Sequence, residues 1–179
     1  MARSTIQSPE FSRPVAADGV GMQGQRWEVS AEPAERAALA RRFGLISIDR
    51  LSASIELRRK AGDAIALSGH LIADVVQSCV ITLAPLQAHF EADFATSYSS
   101  AGSEEAHVDL DPVADDGPEP LIGGEIDLGE AVAQELAVTL DPYPRAPGAV
   151  LPPGKFAALG DRNERKRPFS GLAALKKRR

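Results

Sequence analysis

The chain has 179 residues, a single cysteine and a formal net charge of −5 at pH 7. This length fits one domain with tails, and one cysteine excludes an intramolecular disulfide, as expected in a reducing compartment. No apolar run approaches the roughly 18 residues of a membrane span, and the N-terminus lacks the apolar core of a secretory signal. We therefore expect a cytoplasmic protein without a membrane partner.

Two short apolar runs and a helix are predicted in the first part of the chain. Phe11–Val15 and Gln25–Val29 are expected to form two weak strands, with a glycine-containing loop between them. A helix over residues 31–43 follows. Ser30 is its expected N-cap and Pro33 lies in its first turn, because these residue types are common at these positions.

The middle of the chain has the period of a β-sheet. Leu51–Leu57, Ile65–Val75 and Ala88–Tyr98 alternate apolar with polar residues, which is typical of half-buried strands. Cys79–Leu83 is predicted to be a shorter apolar strand that ends at Pro85. Because the connections are short, we expect neighbouring strands to pair antiparallel.

Two segments of opposite charge follow this region. Residues 99–124 are acidic and rich in glycine and proline, and they contain too few apolar side chains to order themselves, so a mobile loop is expected. This loop is either a solvated spacer or an attractant for a basic protein such as a ribosomal protein. Residues 161–179 are basic, and such a tail either neutralises RNA phosphates or keeps the chain soluble. The candidate RNA-binding residues are Arg162, Arg165, Lys166, Arg167, Lys176, Lys177, Arg178 and Arg179.

Three apolar residues lie beside the last cations of this tail. Phe169, Leu172 and Leu175 are spaced to form one short helical face. Phe169 could stack on a base, but docking on the protein core is the favoured interpretation.

Between the acidic loop and the tail, a helix is predicted over residues 127–140. Asp127 is its expected N-cap, and Glu130 has the spacing that completes a capping box. One face of the helix is apolar, formed by Leu128, Val132, Leu136 and Leu140. The prolines beyond it hold Tyr143 and Arg145 on a stiff segment, which is typical of a partner-binding site. A structural alternative, with Tyr143 packed under the helix and Arg145 paired with a carboxylate, is the slightly favoured interpretation.

Three stretches of this chain resemble one known family. They are GHLIADVVQSCVITLAP at 69–85, the helix that starts with IDLGE at 126 and ends in LDPYPR, and PFSGLAALK at 168–176. Their order and spacing resemble the YceD family, the large ribosomal RNA subunit accumulation proteins, from about Phe11 to the end. The resemblance implies a non-catalytic bacterial factor that is needed for 23S ribosomal RNA to accumulate. The implied partner is large-subunit ribosomal RNA or its precursor.

Neither a metal nor a catalytic site is predicted. Many members of this family carry cysteine pairs that could bind zinc, whereas this chain has arginine and proline where such cysteines would follow Tyr143. His70 and His89 could approach Cys79 on neighbouring strands, but the three make no recognised ligand spacing. Cys79 is expected to be a small buried strand residue whose thiol pKa is raised by its apolar surroundings.

The sequence thus predicts an α+β fold. An antiparallel sheet of about four to six strands packs against the 31–43 and 127–140 helices in a single domain, residues 1–160, followed by the basic tail at 161–179. The predicted function is an adaptor in ribosome biogenesis that contacts RNA, a ribosomal protein, or both, without a cofactor. Two alternatives stay open, a protein-only interaction module and, less favoured, a small metal-dependent hydrolase or nuclease. The oligomeric state stays open too.

Overall fold

The computed structural model describes residues 9–60, 64–99, 118–121 and 123–150. Its strands are β1 Pro14–Ala16, β2 Gln25–Ser30, β3 Ser47–Arg59, β4 Ala64–Ser78, β5 Pro85–Ser99, β6 Glu119–Pro120 and β7 Glu125–Asp127. Its helices are α1 Pro33–Phe43 and α2 Leu128–Thr139. The class is α+β with two main helices, as predicted. No helix in the described part of the chain is long and apolar enough to cross a membrane.

The main sheet contains five strands in the order β2-β3-β4-β5-β6. The first four are antiparallel neighbours, as predicted, but β6 pairs parallel to β5, with Glu119 opposite Tyr98. The sheet is therefore mixed, and the prediction of a purely antiparallel sheet was wrong. A parallel neighbour requires the chain to return to the same end of the sheet, for which the long segment between Ser99 and Glu119 has enough residues. A second, two-stranded sheet pairs β1 with β7.

The alternating residues of β3 and β4 form the centre of the core. Leu51 of β3 lies opposite Ala73 of β4, and Leu57 lies opposite Leu67; all four are buried. Between these pairs, β4 has a glycine at position 69, directly opposite Phe94 of β5. A Cβ atom at Gly69 would lie 2.5 Å from the Phe94 ring, so this aromatic ring requires a residue without a side chain.

The predicted strand at Cys79–Leu83 was wrong, because these residues form the turn between β4 and β5. The Cys79 N–H donates to the Ala84 carbonyl at 2.8 Å, and the Leu83 N–H donates to the Cys79 carbonyl at 2.9 Å. Leu83 has a φ of +61°. The run is apolar without being a strand, since the chain reverses here and leaves Leu83 at the surface.

Helix α1 begins later than predicted. Ser30 is the last residue of β2, paired with Ser52 of β3, so it does not cap the helix. The N-cap is Glu32, whose N–H donates to Glu35 Oε2 at 2.7 Å. Because strand pairing holds the chain extended through Ser30, the helical backbone starts only at Pro33.

Helix α2 has the predicted cap and an unexpected partner. Asp127 Oδ1 accepts the N–H groups of Gly129 at 3.0 Å and Glu130 at 3.2 Å. The Glu130 carboxylate, expected to complete a capping box, instead binds Arg42 of α1, with Nη2 and Oε1 2.8 Å apart. The apolar face of α2 is buried as predicted at Leu128, Val132 and Leu136. The ion pair and the shared core thus connect the two helices.

Candidate functional site

The loop after α2 carries Tyr143 and Arg145, and the main sheet holds this loop in place. The Pro144 carbonyl accepts the Val80 N–H at 2.9 Å. The Asp141 carbonyl accepts Gln77 Nε2 at 2.9 Å, and the Asp141 side chain accepts the Tyr143 N–H at 2.9 Å. The backbone that presents the two candidate residues is therefore fixed by the end of β4 and the turn that follows.

Both candidate partner-binding residues are exposed. Tyr143 keeps 70% of its surface accessible, so it does not pack under the helix. Arg145 is also exposed and forms no ion pair with the carboxylates that the structure describes. The structural alternative for these two residues is therefore not seen, and their binding of a partner stays a prediction.

An apolar groove lies next to this loop, between the ends of the two helices and the β4–β5 turn. We call it the end groove. Its volume is about 360 Å³, and its apolar lining consists of Phe43, Leu45, Val80, Ala137, Leu140, Pro142 and Pro144. Val138, which follows Ala137 of this lining, and Leu83, three residues after Val80, are mostly exposed. The sequence did not predict this groove because its walls come from three segments that meet only in the folded chain.

Cys79 connects the β4–β5 turn to the same loop. Its sulfur accepts the N–H groups of Ala146 at 3.3 Å, and of Ile81 and Thr82 at 3.4 Å each. The Ala146 N–H and then the Thr82 hydroxyl and N–H lower the pKa of the thiol to about 6, although burial opposes the shift. The predicted rise in pKa was wrong because the backbone of a tight turn supplies donors that an apolar strand does not.

The histidines considered as metal ligands are bound to carboxylates on the outer face of the main sheet, opposite the helices. His70 Nδ1 lies 2.7 Å from Asp93 Oδ1, and His89 Nδ1 lies 2.5 Å from Asp74 Oδ1. Asp74 and then Glu91 raise the pKa of His89. Among the described residues, no three His, Cys, Asp or Glu side chains are grouped closely enough to hold a metal ion.

One row across this outer face contains the residue types of a hydrolytic triad. Ser54, His70 and Asp93 lie directly opposite one another on β3, β4 and β5. His70 binds Asp93, but Ser54 forms no hydrogen bond with His70. The Asp93 side chain is 89% exposed, so the row lies in open solvent and lacks the enclosure that holds a catalytic triad in geometry.

Most arginines in the first sixty residues bind groups of the protein itself. Arg13 and Arg42 pair with carboxylates at 2.7 Å and 2.8 Å, respectively. Others bind the Glu56 carboxylate or backbone carbonyls, namely Arg26, Arg36, Arg58 and Arg59. Beyond Lys60, the described residues contain a single cation, Arg145. Side chains free to bind phosphate are therefore few in the described part.

The remaining predicted site residues lie outside the described residues. This applies to all eight candidate RNA-binding residues from Arg162 to Arg179, and to residues 100–117 of the predicted acidic loop. At the end of that loop, Glu119–Pro120 forms β6.

Comparison with known proteins identifies one family. A family model described as large ribosomal RNA subunit accumulation protein YceD matches residues 67–176, which is more than half of the chain. The resemblance predicted from the sequence is confirmed over this range, although it was expected to begin near Phe11. Searches of curated proteins and of solved structures gave no significant match. The matched range includes the β4–β5 turn, which forms one wall of the end groove, as well as α2 and the loop that carries Tyr143.

Proposed function

This chain belongs to the YceD family of large ribosomal RNA subunit accumulation proteins, and from that membership we propose that it is a non-catalytic adaptor. The family match carries the proposal, since it assigns the chain a role in the accumulation of large-subunit ribosomal RNA. In the proposed mechanism one part of the protein contacts 23S ribosomal RNA or its precursor in the bacterial cytoplasm. Another part holds a ribosomal or assembly protein.

The distribution of cations supports the C-terminal tail as the part that contacts RNA. The arginines of the described part are largely bound to carboxylates and carbonyls, and a phosphate would have to displace these partners. The eight cations from Arg162 to Arg179 face one carboxylate, Glu164, in the sequence. Such a cluster gives RNA affinity without base specificity.

The exposed loop after α2 supports the second contact. Tyr143 and Arg145 belong to the residue types that contribute most to protein interfaces, and hydrogen bonds to β4 and its turn fix their backbone. A fixed backbone lowers the entropy that binding must overcome. We therefore assign the protein partner to this loop, with a basic ribosomal protein as the expected class because acidic residues predominate between Glu91 and Glu130.

The second candidate function is a protein-only interaction module. The observation that favours it is the exposed Tyr143 beside the apolar end groove, which needs no RNA to bind a protein. A gel-shift assay with large-subunit ribosomal RNA at low salt separates the two, because the module would give no shift. The described residues give a hydrolase or nuclease no comparable support, since the row formed by Ser54, His70 and Asp93 is open and lacks a Ser54–His70 hydrogen bond.

The proposed function is tested by depleting the protein from cells. We expect a selective fall of large-subunit relative to small-subunit ribosomal RNA, with a matching loss of large subunits in sucrose gradients. Re-expression of the wild-type chain restores the ratio, whereas a chain with Tyr143→Ala and Arg145→Ala restores it only in part. An unchanged ratio with normal gradients would contradict the proposal.

A further inference from the structure

The end groove is an apolar surface without a described occupant. Its walls are the C-terminal end of α1, the β4–β5 turn and the C-terminal end of α2 with its following prolines. Exposed Val80 lines the groove, and three further exposed side chains, those of Leu83, Val138 and Tyr143, lie within three residues of the lining in the sequence. Apolar side chains gathered in this way on a soluble domain usually mark a contact site.

Leu83, in the β4–β5 turn that contributes Val80 to the groove wall, has an unusual backbone conformation. Its φ of +61° lies in the left-handed region, which is unfavourable for a residue with a branched side chain, and 75% of its surface is exposed. The hydrogen bonds of the turn hold it there, with the Leu83 N–H on the Cys79 carbonyl at 2.9 Å. The turn thus presents an apolar side chain outward at a conformational cost, which is typical of a contact residue.

The chain itself leaves the described region beside this groove. The Ala146 N–H is bound to Cys79 Sγ at 3.3 Å, and the Ala149 N–H to the Ala146 carbonyl at 3.0 Å, so the backbone stays near the β4–β5 turn until the last described residue, Val150. Residues 151–167 then precede Pro168–Leu175. A flexible chain of that length spans roughly 23 Å, which is enough to return to a site at the same end of a small domain.

We propose that Pro168–Leu175 occupies the end groove as a short helix. Three apolar side chains of this segment, Phe169, Leu172 and Leu175, are spaced three residues apart and share one helical face. An apolar helix face in an apolar groove is a common mode of recognition. Asp141, the carboxylate in the groove wall, complements Lys176–Arg179, the cations that directly follow the segment.

Because the segment is tethered to the domain, weak intrinsic affinity is sufficient for docking. A flexible tether gives an effective concentration of about 1 mM, so a segment with a Kd near 100 µM as a free peptide would be bound about ten times out of eleven. Docking also holds Lys176–Arg179 at the end of the domain that carries the groove. The inference does not depend on the tail binding RNA, so the two proposals can fail separately.

Hydrogen exchange in the full-length chain tests this docking. Three backbone amides report on the groove walls: Leu45 and Leu140, bonded within the helix ends, and Val80, bonded to the Pro144 carbonyl. In a variant with Phe169→Ser, Leu172→Ser and Leu175→Ser, we expect these amides to exchange up to about tenfold faster, because the docked state no longer protects them. The central strand amides of Ile55 and Leu71 should not change.

The matched control is Ala174→Ser, which adds a hydroxyl on the opposite face of the same helix because successive residues are 100° apart. It should leave all three reporter amides at their wild-type rates. Unchanged rates in the triple variant would overturn the proposal. A loss of RNA binding with unchanged reporter amides would overturn docking while leaving the tail's role in RNA contact intact.

A second measurement keeps all three apolar residues in place. A photo-crosslinking amino acid at position 80, which lines the groove and is exposed, is activated in the otherwise wild-type full chain. We expect an intramolecular crosslink to residues 168–175, identified by mass spectrometry. Crosslinked dimers would identify a second copy as the occupant and overturn the proposal, as would crosslinks confined to other segments.

Discussion

At the scale of single residues, Cys79 illustrates how backbone donors change the chemistry of a side chain. Its sulfur accepts N–H groups from both the β4–β5 turn and the loop after α2, and its pKa falls to about 6. In an unfolded chain a cysteine has a pKa near 8.5. The folded state therefore binds fewer protons than the unfolded state between about pH 6 and 8.5, so this thiol stabilises the fold increasingly as pH rises.

The first prediction concerns this titration. Because the chain has a single cysteine, the thiolate absorbance near 240 nm should rise with a midpoint near pH 6 in the folded protein and near 8.5 in urea. The stabilisation is fully present above about pH 8.5 and is lost as pH falls through about 6. The urea midpoints of wild type and Cys79→Ser should accordingly differ more at pH 8.5 than at pH 5.5. A folded-state midpoint above pH 8 would contradict the hydrogen-bonded geometry.

The second prediction concerns Gly69 and the ring that lies over it. A Cβ at this position would approach Phe94 to 2.5 Å, so Gly69→Ala should lower the free energy of unfolding by about 1–3 kcal/mol, the usual cost of overpacking. The destabilisation caused by Gly69→Ala should be smaller in a Phe94→Ala background, because removal of the ring leaves room for the added methyl group. Urea unfolding measures both effects. Gly21→Ala is the control, since nothing lies within 4 Å of its added carbon.

At the scale of elements, Asp127 fixes the start of α2 and also the entry of the chain. Its carboxylate caps the helix at Gly129 and Glu130, and it accepts the Arg13 N–H at 2.7 Å and the Ser12 hydroxyl at 2.5 Å. The N-terminal segment and α2 thus share one acceptor. Their packing is close as well, because a Cβ at Gly129 would lie 2.5 Å from the Phe11 carbonyl oxygen.

The third prediction is that Asp127→Ala lowers the free energy of unfolding by more than the loss of a helix cap alone would. Loss of a cap typically lowers the free energy of unfolding by about 0.5–2 kcal/mol, and the Arg13 N–H loses its acceptor too, so we expect about 2 kcal/mol or more. Asp127→Asn keeps one acceptor oxygen and should cost less. Equilibrium urea unfolding of the three chains provides the comparison. A cost of Asp127→Ala below about 0.5 kcal/mol would show that these bonds contribute little.

Periodicity predicted the elements whose apolar residues alternate or repeat. It failed where contacts with distant segments determine whether a residue lies in a strand, a turn or a helix cap. Leu51–Leu57 and the apolar face of α2 follow from side-chain spacing alone. The run at Cys79–Leu83 has strand-like composition, but nothing local indicates that the chain reverses there with Leu83 in a left-handed conformation. Likewise β6 depends on a partner about twenty residues away, and Ser30 caps nothing because β3 pairs with it.

The features of the candidate site likewise fall into those that the sequence predicted and those that it did not. Tyr143 and Arg145 were identified because two prolines and a helix end are visible in the sequence. The end groove and the row formed by Ser54, His70 and Asp93 were not, because strand register brings together residues that are distant in the sequence. No periodicity argument supplies that register before the turns are known.

At the scale of the whole molecule, cations and carboxylates are separated along the chain. Most arginines described in the first sixty residues bind groups of the protein itself. Arg145 is the single cation of the described part beyond Lys60, and the remaining cations follow towards the C-terminal end. Phosphate binding is therefore expected to reside in the tail. In the folded domain, most arginines are used in intramolecular contacts, and the loop after α2 is exposed.

The fourth prediction uses this separation. Replacing Lys176, Lys177, Arg178 and Arg179 with alanine should weaken binding to single-stranded ribosomal RNA. The slope of log affinity against log salt should fall by about 3, since each phosphate that a cation neutralises adds roughly 0.7 to it. Arg26→Ala, which removes a cation from the outer face of the sheet, should leave the slope within error. An unchanged slope in the tail variant would mean that these residues do not bind phosphate.

The pairing of β1 with β7 has a consequence for synthesis of the protein. Strands β3, β4 and β5 are joined by short turns and can pair as soon as each is made, whereas β1 must wait for residues 125–127. At 5–20 residues per second, that interval lasts roughly 5–20 s. During this time Phe11, fully buried in the finished fold, has no α2 to cover it. The N-terminal segment of the nascent chain therefore stays uncovered for most of translation, until α2 is made and packs against it.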